Sequence, residues 1–260
     1  MIIFGGTKGI GSMLAAHYKD QCALSVVGRS PQRHAIKADV SKESSVDAAF
    51  EAHRKRWGKD PQVVVNCAAV LGPVGNSWQV PVKEVEETLK INLLGSFIVA
   101  RAALKRMVRA KGGSIIMFSG GGAAYARPNF GAYGISKAGV LRLVETMAKE
   151  LHAAGHDHIT INAVAPGLVK TGMTAEIINA GKRAGKKDLD EATGVMKSGG
   201  TCDREIIDLV DFLIDRRRNK GLTGRLIHVR EDYLKLVKKY GGKVPTDIGT
   251  LRRIPVEQSL

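Results

Sequence analysis

Tyr133 and Lys137 stand four residues apart in the run Gly131-Ala132-Tyr133-Gly134-Ile135-Ser136-Lys137. On a helix that spacing places both side chains on one face, with their bases about 5–6 Å apart. A phenol with a pKa near about 10 is a weak acid or base at neutral pH, and a cation beside it favours the phenolate. At about 4 Å and an effective dielectric of about 20, one positive charge is worth roughly 4 kcal/mol, enough to move a pKa by about three units. The pair can therefore make an acid/base that works near neutrality. A single Tyr-x-x-x-Lys pair carries little weight alone, so the elements that would hold it must support the chemistry.

Just before the pair lies Ser114-Ile115-Ile116-Met117-Phe118, an apolar run that reads as a buried strand, followed by Ser119 and the flexible Gly120-Gly121-Gly122. At the chain's start, Met1 to Phe4 reads as a strand, and Gly5-Gly6-Thr7-Lys8-Gly9-Ile10-Gly11 opens a helical pattern. Glycines between a strand and a helix let backbone approach a pyrophosphate seated on the helix N-terminus. The second strand, Ala23 to Val27, ends at Gly28-Arg29-Ser30, about twenty residues past the glycines, where an NAD enzyme would carry a ribose-binding acid. No acid stands there. Arg29 can pair with a 2′-phosphate, and Lys8 adds charge inside the glycine loop, so NADP(H) is expected over NAD(H).

A third strand is predicted over His34 to Val40, and a helix over Glu43 to Trp57. The link between the second and third strands is too short for the crossover helix that parallel strands usually need, so that helix must be lost or reduced. Gln62 to Ala69 reads as a fourth strand with Asn66 at its carboxyl end. Val82 to Lys111 reads as one long helix that carries Asn92 among apolar neighbours, and Val140, Val144, Met147 and Leu151 form a core or subunit-facing stripe. Ile159 to Val164 is a further strand leading into Pro166-Gly167-Leu168-Val169-Lys170-Thr171. Residues 172–200, rich in Gly, Lys and Ala with weak periodicity, have the profile of a mobile substrate lid. Asp203 to Arg216 reads as a helix, Leu226 to Val229 as a last strand, and 231–260 as a basic tail with weak internal pattern.

Length and composition suit this plan. At 260 residues, with 30 glycines, 44% apolar and 5% aromatic residues, the chain fits one large helix-covered α/β domain, 1–260. No run of about 18 apolar residues exists, and the N-terminus is too short for a signal-peptide core, so a soluble cytoplasmic protein is expected. Cys22, Cys67 and Cys202 are odd in number and far apart, which predicts reduced, buried thiols and no disulfide framework. The excess of 40 Lys+Arg over 25 Asp+Glu is dispersed, and no nucleic-acid-binding motif accompanies it. Anionic small molecules are the expected partners, and neither membrane nor nucleic acid is. His152, His156 and His158 read as a polar helix end, not as a metal site.

Gly5, Gly9 and Gly11, Asp39-Val40, Asn66-Cys67-Ala68-Ala69, Asn92, Tyr133-x-x-x-Lys137 and Pro166-Gly167, in that order and spacing, resemble the short-chain dehydrogenase/reductase family over roughly residues 1–229. The resemblance implies a Rossmann-like, doubly wound parallel sheet of about seven strands with helices on both faces, and a nicotinamide cofactor. It implies Tyr133 as general acid/base, Lys137 holding the nicotinamide ribose and lowering the Tyr133 pKa, and Asn92 anchoring a water in the proton relay. Gly5, Thr7, Lys8, Gly9, Ile10 and Gly11 would receive the cofactor, with Arg29 and Ser30 at its phosphate end. Asp39 and Val40 would flank the adenine, Asn66 and Ala68 the adenine ribose side, and Pro166, Gly167, Val169 and Thr171 the nicotinamide. A homodimer or homotetramer built on helices 82–111 and 133–154 is implied as well.

The chain also departs from the family pattern. Thirteen residues before the Tyr, where members usually carry Ser, stands Gly120, with Ser119 one residue earlier as a candidate replacement. Losing such a donor typically lowers rate about 10²- to 10³-fold. Phe4 replaces a common Thr, Ala69 a common Gly, and Val229-Arg230-Glu231-Asp232 the usual Val-Asp-Gly-Gly. The expected activity is NADP(H)-dependent hydride transfer to or from a carbonyl/hydroxyl carbon of an anionic substrate, either a nucleotide-linked sugar or a carrier-bound 3-oxoacyl group. A non-catalytic NADP(H) sensor or scaffold of the same fold is the alternative.

Overall fold

The computed structural model describes residues 1–30 and 34–251. In chain order the elements are β1 (Ile2–Phe4), α1 (Gly9–Tyr18), β2 (Ser25–Gly28), β3 (Ile36–Lys37), α2 (Glu43–Trp57), β4 (Val63–Asn66) and α3 (Val82–Leu89). They continue with α4 (Gly95–Ala110), β5 (Gly113–Phe118), α5 (Gly131–Ala153), β6 (Ile159–Ala165), α6 (Gly172–Ala180) and α7 (Lys186–Ser198). The last elements are α8 (Asp203–Ile214), the short α9 (Arg216–Asn219), β7 (Leu226–His228) and α10 (Tyr233–Tyr240).

All seven strands are parallel and ordered β3-β2-β1-β4-β5-β6-β7. The winding reverses between β1 and β4, the place where open α/β sheets bind ligands at their strand ends. Register aligns those ends: Phe4 pairs with Asn66, and Asn66 with Met117, one residue short of the end of β5. The strands read as continuous apolar runs because both faces are covered. Period-two alternation sends Ile2 and Phe4 to one core with Phe50 of α2, Val99 and Met107 of α4, and Val140 and Val144 of α5. Ile3 goes to the other, with Leu14 of α1 and Leu209 and Phe212 of α8. Val140, Val144, Met147 and Leu151 are all core residues, which settles the α5 stripe.

Several expectations change. The predicted third strand shrinks to Ile36–Lys37, and residues 29–30 and 34–35 of the link from β2 hold no helix. The long helix over 82–111 is broken by a π turn at Lys90–Leu94, which inserts an extra residue between α3 and α4. Residues 172–200 form a helical hairpin, α6, a 3₁₀ turn at Gly181–Ala184, and α7, whose small residues Ala180, Ala184 and Ala192 pack inward. A polar sequence hides that hairpin because packing against the rest of the protein stabilises it, not its own periodicity. The tail carries α10, started by the Asp232 carboxylate accepting from the Lys235 N–H at 2.9 Å. Residues 252–260 of the predicted tail lie outside the described residues. Cys22 and Cys202 are exposed, against expectation, and Cys202 begins α8, its N–H donating to Glu205 at 2.9 Å.

Candidate active site

Tyr133 is the third residue of α5, and both it and Lys137 are buried at the carboxyl end of β5. The Lys137 ammonium donates to the Phe118 carbonyl at 2.8 Å and sits 5.5 Å from the centre of the Tyr133 ring. The helical spacing thus holds, but the electrostatics differ from expectation. Burial pushes the Tyr133 phenol up to about 12, and the cation that opposes this is Arg127, not Lys137. Burial also lowers Lys137 to about 8, with Cys67 pulling the other way. At neutral pH the phenol keeps its proton, which suits it to donate to an oxygen gaining negative charge.

Asn92 sits in the π turn with no exposed surface. Its Oδ1 accepts from the Val70 N–H at 2.9 Å, and its Nδ2 donates to the Val70 carbonyl at 2.9 Å and to Ser136 Oγ at 3.1 Å. Ser136 in turn donates to the Tyr133 carbonyl at 2.7 Å. On the other side, Ser96 Oγ donates to the Asn92 carbonyl at 2.6 Å and accepts from Asn66 Nδ2 at 3.1 Å. Asn66 Oδ1 holds the Ala68 N–H at 3.2 Å. Both amide hydrogens of Asn92 are therefore engaged by protein, and its side chain ties the loop after β4 to the second turn of α5. Ser96 and Ser136 were not singled out from the sequence. Ser96 stands i+4 from Asn92 and Ser136 lies inside the Tyr-Lys spacing, which is the signal they offered.

Ser119 does not reach toward the phenol by a hydrogen bond; its buried hydroxyl donates to the Lys137 carbonyl at 3.3 Å. Gly120 is the residue that faces Tyr133. A Cβ built on it would lie 2.9 Å from the Tyr133 hydroxyl, so the absent side chain is what lets the phenol sit there.

The glycine loop packs on these same strand ends. Gly5 has φ +71°, and a Cβ there would fall 2.5 Å from the Ala68 nitrogen, so the first turn and the Asn66–Ala68 loop touch backbone to backbone. Gly9 has φ +52° and faces the Thr171 methyl, bringing the 166–171 segment over the loop. Lys8 precedes α1 without capping it by its side chain, so among the described residues the first amides of that helix, including those of Ile10 and Gly11, show no side-chain acceptor. That arrangement fits an anionic dinucleotide backbone. Thr7 packs against Gly28. Arg29 and Ser30 are exposed at the end of β2. Burial works to raise the Asp39 carboxyl, but hydrogen bonds from Ser41 and the charges of Lys42 and Arg29 outweigh it and hold it below its usual value. Val40 packs against Gly95, just past the π turn. Gly167 has φ +70°, and the Val169 carbonyl accepts from Thr174 Oγ1 at 2.5 Å.

A family profile described as enoyl-(acyl carrier protein) reductase matches residues 9–231. The chain is 27% identical over 260 residues to a chloroplastic NADPH-dependent aldehyde reductase-like protein of Arabidopsis thaliana, covering 90% of this chain and 93% of that one. It is 30% identical over 190 residues to a 3-oxoacyl-[acyl-carrier-protein] reductase of Homo sapiens, covering 67% of this chain and 77% of that one. Among solved structures, ElxO with NADP bound superposes with a TM-score of 0.74 at 25% identity, covering 90% and 98% of the two chains. The chain belongs to the short-chain dehydrogenase/reductase family. It is an NAD(P)-dependent oxidoreductase of the class that acts on carbonyl and hydroxyl groups.

Two predictions follow from this geometry. Because the folded-state pKa of Lys137 is lowered to about 8, the folded protein binds its proton less tightly than the unfolded chain. The burial penalty is then present below pH about 8 and is relieved as pH rises toward about 10.5, a gain of about 3 kcal/mol. Denaturant titrations should show wild type gaining stability over that window relative to Lys137→Met. Separately, Gly120→Ala should displace the phenol and lower kcat/KM by about 10- to 100-fold, while Ser119→Ala stays within about threefold, well short of the 10²-fold or greater loss of an oxyanion donor.

Proposed function

We propose that this protein is an NADPH-dependent carbonyl reductase acting on an anionic substrate, with Tyr133 as the proton donor. The observation that carries the reading is the Tyr133 phenol, kept protonated by burial at the strand ends where the glycine loop, the Asn66–Ala68 loop and the 166–171 segment converge. A bound nicotinamide supplies the hydride. Tyr133 gives its proton to the carbonyl oxygen, and Lys137, with two ammonium hydrogens beyond the one held by Phe118, holds the ribose beside it. Asn92 keeps the phenol's helix and the Val70 loop in register.

Arg29 and Lys8, with no acid at the end of β2, support a 2′-phosphate and hence NADP(H). A cavity of about 420 Å³, bordered by the 73–76 loop, Asn129, Glu84, Lys182 and Arg183, supports an anionic substrate. Tyr133 itself does not line that cavity, but Val74 of the loop shares an apolar cluster with it. A larger cavity of about 490 Å³ lies at the amino ends of the strands, around Met1, Ala23 and Val63, and plays no part in this reading. The likeness to the human 3-oxoacyl-[acyl-carrier-protein] reductase favours a carrier-bound 3-oxoacyl group over a nucleotide-linked sugar. The residues Leu94, Phe97 and Ile135, exposed on the α4–α5 face, support a homodimer or homotetramer. Gly120 in place of a donor is the one observation that favours a non-catalytic NADP(H) sensor.

NADPH oxidation with a panel of aldehydes and 3-oxoesters distinguishes the two. Turnover that falls by about 10³-fold or more in Tyr133→Phe, with NADPH binding unchanged, is the expected result. Tight NADPH binding without turnover on any of them would establish the sensor. Arg29→Asp should weaken NADPH by about 10-fold or more while leaving NADH nearly unchanged, and equal weakening of both would rule Arg29 out as the phosphate reader.

A further inference from the structure

Tyr133 is covered from above by the α6–α7 hairpin. Ile177, Ala180, Ala184 and Ala192 of the hairpin share one apolar cluster with Leu71, Val74, Phe130 and Tyr133. The three alanines bury little area each, and Ile177, with the partly buried Met173 and Ile178, supplies most of the apolar hold. An ion pair reinforces them. Arg127 Nε lies 2.6 Å from Asp188 Oδ1, both side chains being about five-sixths buried at 16% and 15% exposure. Among the described residues it is the only ion pair joining the hairpin to the rest of the protein.

Both ends of this pair are fixed by their surroundings. The Arg127 guanidinium stacks 4.0 Å from the centre of the Phe130 ring, and the Arg127 carbonyl accepts from the Phe130 N–H at 3.3 Å. Phe130 immediately precedes α5, and its carbonyl accepts from the Gly134 N–H at 2.8 Å, closing the turn that contains Tyr133. Asp188 is in the first turn of α7, where the helix dipole favours a carboxylate. We propose that the Arg127–Asp188 pair latches the hairpin over Tyr133, and that Arg127 is a positioning residue that ties the latch, through Phe130, to the turn carrying the phenol.

Among the described residues no other charge gives the hairpin such an anchor: Lys137 on the phenol's own helix is turned to the Phe118 carbonyl, and Lys182 and Arg183 of the hairpin border the cavity at the 73–76 loop.

The test compares Arg127→Met, Arg127→Lys and Asp188→Asn in the full chain, and it needs no turnover, although the functional meaning of the latch rests on the reductase reading above. Hydrogen exchange over residues 172–198 should quicken about tenfold or more in Arg127→Met and Asp188→Asn, with α4 unchanged as the internal control and Arg127→Lys restoring part of the protection. The ionised fraction of Tyr133 at one alkaline pH is read as phenolate absorbance, after subtracting the same background carrying Tyr133→Phe. Because burial is what raises the phenol, an opened hairpin should increase that fraction in Asp188→Asn, which keeps Arg127. Unchanged exchange in the hairpin would overturn the latch, and faster exchange with no increase in phenolate would overturn its closure over Tyr133; failure to reduce any carbonyl bears only on the reductase reading.

Discussion

An ammonium taken out of water must be held by something, and in this fold that requirement organises the site. Lys137 is 3% exposed and donates to one backbone carbonyl, that of Phe118, at the last residue of β5. Burying an unpaired charge carries an effective penalty of several kcal/mol, which the protein lessens by lowering the Lys137 pKa toward neutrality. The helix that carries Lys137 must therefore begin close to the strand end, and Tyr133, one turn earlier, is drawn to the same place. Burial then acts on the two groups in opposite senses: it makes the phenol hold its proton and makes the ammonium release its own. A single apolar environment thus sets both proton affinities.

The hydrogen-bond ladder Asn66–Ser96–Asn92–Ser136 gives this environment its rigidity. Each of its polar side chains is almost fully buried, and every rung has a hydrogen-bond partner. A buried amide left unpaired would carry a penalty of about 1–3 kcal/mol, so the ladder tolerates little displacement. The π turn is what makes the ladder possible. By adding one residue to the helix it turns Asn92 toward the Val70 loop, so that one side chain bonds both the N–H and the carbonyl of Val70. The deformation sits at the position where two elements of different origin must be tied together.

Much of this was legible before any coordinates. Strand runs such as Ile115-Ile116-Met117 are apolar throughout because both sheet faces are covered, and the glycines at 5 and 11 stand where backbone approaches backbone, while Gly9 takes a left-handed turn. What escaped reading has a common cause. A π turn adds one residue without disturbing apolar spacing enough to be noticed, so 82–111 read as a single helix. The α6–α7 hairpin packs through Ile177 and several alanines, and alanines carry little periodic signal among lysines and glycines. Arg127 and Asp188 are 61 positions apart, and only their packing joins them. Gly120 was noticed as a missing side chain; its geometry shows that the phenol occupies the space. The expected tuning of Tyr133 by Lys137 failed because chain spacing fixes proximity, whereas solvent exclusion decides the sign of the shift.

The tail follows the same logic of backbone groups that need partners. β7 is the last strand of the sheet, and an uncovered edge invites pairing by another chain. Here the Leu226 N–H donates to the Gly249 carbonyl at 2.8 Å, and Arg225 Nη2 donates to the Val244 carbonyl at 2.6 Å, so the segment after α10 runs beside the edge. Gly249 has φ +67° and so close an approach that a Cβ would meet the Leu226 carbonyl at 2.8 Å. The segment then reaches α5, where Glu145 Oε1 accepts the Leu251 N–H at 2.6 Å and Arg142 donates to the Leu251 carbonyl at 3.0 Å. Glu145 is 5% exposed, and Arg142 supplies its countercharge while the tail backbone donates to its other oxygen. The tail thereby runs along the sheet edge and hydrogen-bonds a buried carboxylate on the helix that carries Tyr133. Its departure from the family's usual sequence after β7 consequently alters the outer wall of the fold while leaving the strand ends of β1, β4 and β5, where the phenol sits, untouched.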